Sequence, residues 1–344
     1  MNQAADGTAG RAVDGAASGT ANGTATARLG DGAFAYDVQD WARLPDEVVL
    51  GDVGGVAVDS ADRVYVFNRG PHPMLVFDRD GTLLRSWGHG LFSRPHGLAV
   101  GPDDTLWCTD DGDHTVRQCT PDGRVLLELG VPGRPAAAMS GRPFNRCTHT
   151  ALSPRGEIYV TDGYGNACVH KFAPDGRLLS SWGRPGIGPG EFNVPHNICC
   201  DREGRVYVAD RESHRVQLFD GDGRYLTEWR QLHRPCALCM QQGAGRPLFY
   251  VGEVGPGLPI NRPVPNLGPR ISIVDADGAI LARLDAGGAG ETLERFIAPH
   301  GIAVDSRGDL YVGEVSRAAW PEVFPGRPLP ERIRSLRKLV RRAA

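Results

Sequence analysis

Three histidines share one local setting, each directly after a proline: Arg94-Pro95-His96, Val194-Pro195-His196 and Ala298-Pro299-His300. Each then opens a short apolar stretch, HGLAV, HNICC or HGIAV. Proline fixes its own backbone torsion and so stiffens the approach to the ring. Neutral imidazole is the commonest nitrogen ligand of divalent transition metals. Three imidazoles with one position left open make the ligand set of a catalytic zinc site, and they also accept iron, cobalt or nickel. A lone histidine in such a stretch is more often a core residue satisfied by carbonyls and water. The set of three carries the expectation. His149 opens a fourth stretch without the proline. It offers a further nitrogen to the metal, or a support behind the other three.

These stretches belong to a repeat, and the repeat decides where the histidines stand. GGVAVDSADRVYVFNRG from Gly54, HGLAVGPDDTLWCTDDG from His96 and HTALSPRGEIYVTDGYG from His149 are copies. HNICCDREGRVYVADRE from His196 and HGIAVDSRGDLYVGEVS from His300 continue the series. Each reads as a strand, a turn and a second strand, followed by a third strand, an Asp-Gly turn and a fourth. The distance from opening residue to turn aspartate is 26 positions in four copies, from Gly54 to Asp80, His96 to Asp122, His149 to Asp175 and His196 to Asp222. A divergent copy from Cys236 reaches Asp277 after a Pro/Gly-rich insertion within 254–269. Six four-stranded units predict an all-β, six-bladed β-propeller. Residues 331–340 are a candidate third strand for the last blade, with a basic helix as the alternative, and residues 34–40 supply its closing fourth strand.

In such a blade the first strand leaves one face and the second returns to it. The opening of strand one and the end of strand two therefore share that face. His96, His196 and His300 fall in blades 2, 4 and 6, roughly 120° apart about the axis. Just past the second strands stand Arg69, Asp111, Gly163, Arg211, Val254 and Val315, with Tyr164 on the same rim. The acids one position earlier, such as Asp110 and Asp210, suit backbone N–H groups in the turn. Two guanidiniums beside a metal suit an anionic substrate.

The charge balance, 38 Lys and Arg against 41 Asp and Glu, argues against general nucleic-acid or membrane-surface binding. No segment approaches the ~18 consecutive apolar residues of a membrane span. Residues 1–33 are rich in Ala, Gly and Thr and have no apolar signal region; a disordered tail is expected there, with the propeller over 34–344. A cytoplasmic location follows by default, with the eight cysteines as reduced thiols.

The units resemble NHL repeats, with WGRPGIGPGEFNVPH as a clear linker. Within that group the chain resembles peptidyl-α-hydroxyglycine α-amidating lyases from about Leu44 to Val315, through GVAVD with FNRG, RPHGLAV, VTDGYGN, VPHN, VADRESHR and APHGIAVD in order. The resemblance implies zinc on His96, His196 and His300, a catalytic tyrosine at Tyr164 and active-site arginines at Arg69 and Arg211. It implies cleavage of an N-acyl hemiaminal to an amide and glyoxylate, with Arg69 favouring the ionised phenol. Gly301 stands where the family has a calcium-binding acid, which argues against structural calcium. Gly165 replaces a disulfide cysteine, and His149 occupies a position where the family tends to carry an acid. No copper monooxygenase segment accompanies the repeat, so a peptide or small molecule hydroxylated by a separately encoded enzyme is the expected substrate. Two rivals remain. One is a metal-dependent hydrolase, hydratase or C–C lyase for a small oxyanionic substrate; the other is a non-catalytic propeller binding protein or glycan.

Overall fold

The computed structural model describes residues 27–242 and 245–343. Five four-stranded antiparallel sheets and one of five strands surround a central channel. Their innermost strands are Asp52–Val58, Pro95–Val100, His149–Leu152, Pro195–Cys200, Pro235–Gln241 and Pro299–Val304. Each packs against the next, and Pro299–Val304 packs back on Asp52–Val58 to complete a six-bladed propeller. Blade 4 shows the pattern: Pro195–Cys200, Val206–Asp210, Arg215–Phe219 and Tyr225–Trp229 pair in chain order.

The second strands are built on alternating β-branched and aromatic residues, which favour a pleated, buried surface. Their tyrosines Tyr65, Tyr159, Tyr207, Tyr250 and Tyr311 are fully buried. Three of them donate to the aspartate that opens the preceding turn: Tyr65 to Asp59 at 2.9 Å, Tyr207 to Asp201 at 2.9 Å and Tyr311 to Asp305 at 3.1 Å. Burying a phenol without such a partner would cost stability.

A tryptophan closes most seams between blades. The Asp-Gly turn between strands three and four places its glycine in the left-handed region, at φ 97° for Gly123, 83° for Gly223 and 87° for Gly278. A Cβ there would lie 2.6 Å from Trp87, 2.6 Å from Trp182 and 2.3 Å from Trp229, respectively. Each of these tryptophans ends the fourth strand of the preceding blade. Gly81 of blade 1 meets Trp41, its absent Cβ falling 2.1 Å from the Trp41 carbonyl oxygen and 3.1 Å from the indole Nε1, and the Trp41 ring packs on Tyr311 of blade 6. Trp41 is therefore the terminal tryptophan of blade 6, although it lies near the start of the chain.

Blade 6 joins both ends of the described chain. Leu336–Arg341 pairs with Leu310–Glu314 on one side and with Tyr36–Gln39 on the other. The segment expected at 331–340 is thus a strand, starting five residues later than the pattern suggested. The tail boundary at residue 33 needs correction, because Ala27–Leu29 pairs with Tyr36–Gln39 as a fifth, outer strand. Leu29 is buried in the core there, and three residues are too few to show a strand period. The part of the expected tail before residue 27 lies outside the described residues. A helix absent from the sequence-based expectation, Ser316–Val323, follows blade 6's second strand and buries Trp320 against Ile297 and Ala298, just before His300.

Replacing Trp41 by Ala should cost about 3–5 kcal/mol, the usual loss for a buried aromatic. Trp229→Ala, at a seam within the continuous chain, should cost a comparable amount in chemical denaturation. Wild-type stability in Trp41→Ala would remove this residue from the closure.

Candidate metal centre

His96, His196 and His300 stand in one tight triangle on the axis, with ring centroids 4.9, 4.6 and 4.8 Å apart. One ligand atom from each lies within 4.8 Å of the others. Their outer nitrogens are held alike. His96 Nδ1 lies 2.6 Å from the Thr148 carbonyl, His196 Nδ1 2.7 Å from that of Cys236, and His300 Nδ1 2.7 Å from that of Gly54. A carbonyl oxygen only accepts, so each Nδ1 carries the hydrogen and each Nε2 presents a bare lone pair. Metal-ligating histidines are oriented by this kind of partner. The partners come from the openings of blades 3, 5 and 1.

The buried acids at the ends of the second strands position these segments. Asp110 accepts from the Ser93 and Arg94 amides at 2.6 and 2.9 Å, Asp210 from Asn193 at 2.7 Å, and Glu314 from Ile297 and Ala298 at 2.6 and 3.0 Å. Each Pro-His pair thus enters its strand from a loop tied to its own blade. Gly301, after His300, has a packing reason: a Cβ there would lie 2.9 Å from both Gly55 Cα and Val56 N of blade 1. The inner strands run too close at that point for a side chain.

Tyr164 reaches the triangle from blade 3. Its Oη lies 3.1 Å from His96 Nε2 and 2.9 Å from His196 Nε2. The flanking glycines permit this, since a Cβ on Gly163 would fall 2.0 Å from the Pro195 carbonyl oxygen and one on Gly165 2.1 Å from Asn145 Oδ1. One hydroxyl proton cannot serve two bare nitrogens, the Cys236 thiol approaches His196 Nε2 only at 3.7 Å, and His300 Nε2 has no hydrogen-bond partner among the described residues. Converging imidazole lone pairs short of protons are the donor set a divalent transition metal requires, so these residues fit one. Burial holds all three imidazoles well below the usual histidine range, leaving them neutral and able to ligate. Burial also raises the Tyr164 phenol, opposed first by Arg211 and more weakly by Arg69.

The two arginines expected here both lie beside Tyr164 and the histidines, in different settings. Arg211 donates from Nη1 to Tyr164 Oη at 3.4 Å and from Nε to Glu212 at 2.8 Å. It, rather than Arg69, is the cation closest to the phenol oxygen. Arg69 donates from Nε to the Pro95 carbonyl at 2.8 Å, while its buried Nη2 has no partner. A buried, unspent guanidinium nitrogen suits an incoming carboxylate.

The structure adds residues that sequence reasoning did not assign. Arg146 places its guanidinium carbon 4.8 Å from the Tyr164 ring centroid, and its Nη2 donates to Asp111 Oδ2 at 2.9 Å. Arg94 donates to the same oxygen. Asp111 was visible on the rim, but its two partners come from separate linkers and share no motif.

His149 does not join the ligand triangle among the described residues. It lines the channel on the opposite side, a cavity of about 510 Å³ walled by Leu98, Val100, Leu152, Ile198 and Met240. Burial pushes its imidazole down to about 4. A second close set, Asp162, Cys168 and His170, lies within the outer part of blade 3. Its aspartate accepts from the Asn145 amide at 3.0 Å and Asn166 Nδ2 at 2.8 Å. It is blade 3's version of the backbone-holding acids described above.

A family model for the NHL repeat matches residues 144–172 and 192–219, which fall on blades 3 and 4. The human NHL repeat-containing protein 3 is 35% identical over 202 residues, covering 55% of this chain and 58% of that protein. Peptidyl-alpha-hydroxyglycine alpha-amidating lyase 1 of Drosophila melanogaster is 29% identical over 317 residues, 79% of this chain and 56% of that one. The chain thus spans less than two thirds of the length of these curated relatives. Among solved structures, a streptogramin B lyase superposes with a TM-score of 0.58 over 88% of this chain and 97% of that chain. At 12% identity this likeness shows the fold alone. The chain carries NHL repeats on a six-bladed β-propeller and has homologues named as amidating lyases.

Proposed function

We propose that the protein is a metal-dependent lyase that cleaves an α-hydroxylated N-acylglycine, or a related hemiaminal, into an amide and glyoxylate, with zinc on His96, His196 and His300. The observation carrying this reading is the Tyr164 hydroxyl set against two bare imidazole nitrogens, 3.1 and 2.9 Å away, beside the unspent nitrogen of Arg69. The relatives named as amidating lyases support it.

In this scheme the bound metal supplies Lewis acidity to the substrate hydroxyl. Arg69 Nη2 takes the substrate carboxylate and so orients the carbon bearing that hydroxyl. Tyr164 Oη, having first released its own proton to solvent, accepts the hydroxyl proton as the C–O bond gains double-bond character and the C–N bond breaks. The electron pair of that bond goes to nitrogen, which receives the proton from Tyr164 and leaves as the amide. No proton or electron is gained or lost overall. Arg211 holds Tyr164 Oη in line and favours its anionic form. The reaction in this scheme starts from a substrate whose α-carbon is already hydroxylated.

The direct test supplies purified protein with N-benzoyl-α-hydroxyglycine and measures both products. Glyoxylate and benzamide should appear in equal amounts, stop on chelation and return with zinc. Metal-loaded protein that releases no glyoxylate from this and a panel of other N-acyl-α-hydroxyglycines would overturn the reading.

A further inference from the structure

We propose that the rim beside Tyr164 holds a second anion subsite, formed by Arg94 and Arg146, and that the natural substrate is a small dianion bearing an acidic group on its acyl half. This deepens the proposed function by naming the substrate class, and it rests on that reading only for the end bound at Arg69.

Arg94 and Arg146 both donate to Asp111 Oδ2, while Asp111 Oδ1 has no partner. Two guanidiniums therefore share one carboxylate, and one positive charge is left over. A purely structural arginine–carboxylate contact would gain most from a two-pronged geometry that uses both oxygens. Neither arginine makes it. Asp111 is fully buried, yet the side chains of Arg94 and Arg146 remain 40% and 45% exposed. The bond to Asp111 is the one side-chain hydrogen bond of each among the described residues. Most of their donors are unspent and face solvent.

Their placement ties this surplus to the reacting centre. Arg146 lies over the Tyr164 ring, while Arg94 directly precedes the Pro95-His96 segment. Arg146 also holds a left-handed backbone at φ 61°, which a non-glycine residue adopts at a cost, and its amide donates to His114 Nδ1 at 3.0 Å. The same bend recurs at Val194 and Arg234 before the first strands of blades 4 and 5, so it belongs to the linkers, and in this linker it carries a guanidinium. Arg69 already provides an unspent nitrogen for the carboxylate beside the reacting carbon. A second acid, reaching outward from the acyl group, would meet Arg94 and Arg146. The whole chain has a formal net charge of −3, so this cationic rim is a local arrangement rather than a reflection of its overall charge.

Binding tests the subsite without requiring turnover. N-Succinylglycine and N-butyrylglycine have the same length and differ by one terminal carboxylate. Calorimetry on the purified protein should show the dianion binding about tenfold more tightly at low salt, with the advantage shrinking at high salt. Arg94→Gln and Arg146→Gln should each bring the ratio of the two affinities toward one. Affinities equal within about twofold in the wild type would overturn the subsite, as would a ratio unchanged in both variants. Benzoyl-substrate turnover with equal affinities would leave the lyase reading standing and remove the dianion. Tighter dianion binding with no glyoxylate from any substrate would do the reverse.

Discussion

Tyr164→Phe is expected to lower the catalytic rate by ~10² to 10⁴, the range for losing a general acid–base group, while folding and metal content survive. The substitution removes one oxygen and retains the ring on which Arg146 and Arg211 lie, 4.8 and 5.5 Å from its centroid. It also removes the atom that meets both His96 and His196. If that oxygen carries the proton from hydroxyl to nitrogen, the loss should appear in kcat, with KM nearly unchanged. Arg211→Ala should act in the same direction, because Arg211 Nη1 faces Tyr164 Oη. Arg69→Ala should raise KM more, since the proposed mechanism gives its unpartnered nitrogen the substrate carboxylate. Glyoxylate release by Tyr164→Phe at the wild-type rate would show that the site keeps a lyase's shape without using this proton path. Loss of turnover on some other substrate, with no glyoxylate from the wild type, would point to a different metal chemistry in the same site.

The second large effect concerns the metal itself. Substituting Ala for His96, His196 or His300 should reduce metal content from about one per chain to a small fraction. Removal of a residue that merely orients a ligand typically costs 10- to 100-fold in affinity, and losing the ligand itself should cost more. A ligand that binds only the folded state stabilises by about 4 kcal/mol at a thousandfold excess over its Kd. Chelation should therefore lower the wild-type melting temperature and leave the three variants unchanged. His149→Ala is the control, because His149 lines the other side of the channel. Elemental analysis decides: equal metal loss in His149→Ala would make it a fourth ligand, and full metal in His196→Ala would dismantle the centre.

Much of this arrangement is legible in the amino-acid sequence. The fixed distance from strand opening to Asp-Gly turn exposed the blades, and alternation of the Pro-His pairs through them placed three imidazoles on one axis. The features that escaped are set by residues distant in the chain. Trp41 is recognisable as a seam residue only beside Gly81 and the tryptophans of other blades. Arg94 and Arg146 meet at Asp111 from two linkers, and no spacing rule brings them together. The different settings of Arg69 and Arg211 were equally hidden. Both follow a second strand, but only their side-chain directions show which one approaches the phenol. The helix Ser316–Val323 is too short to print a clear period, and Trp320 within it is buried by neighbours from the preceding linker.

The carbonyls that grip the three histidines have a consequence for the order of events in time. His96 and His196 are each held by the blade that follows them in the chain, across 52 and 40 residues. His300 is held by Gly54, 246 residues earlier. Its bare nitrogen is therefore aimed at the axis only once the last blade has docked on the first. During synthesis, two ligands can be oriented while the third is still unmade or swinging free. Tight metal uptake should then be a late event, and its rate a clock for the moment at which the ring shuts.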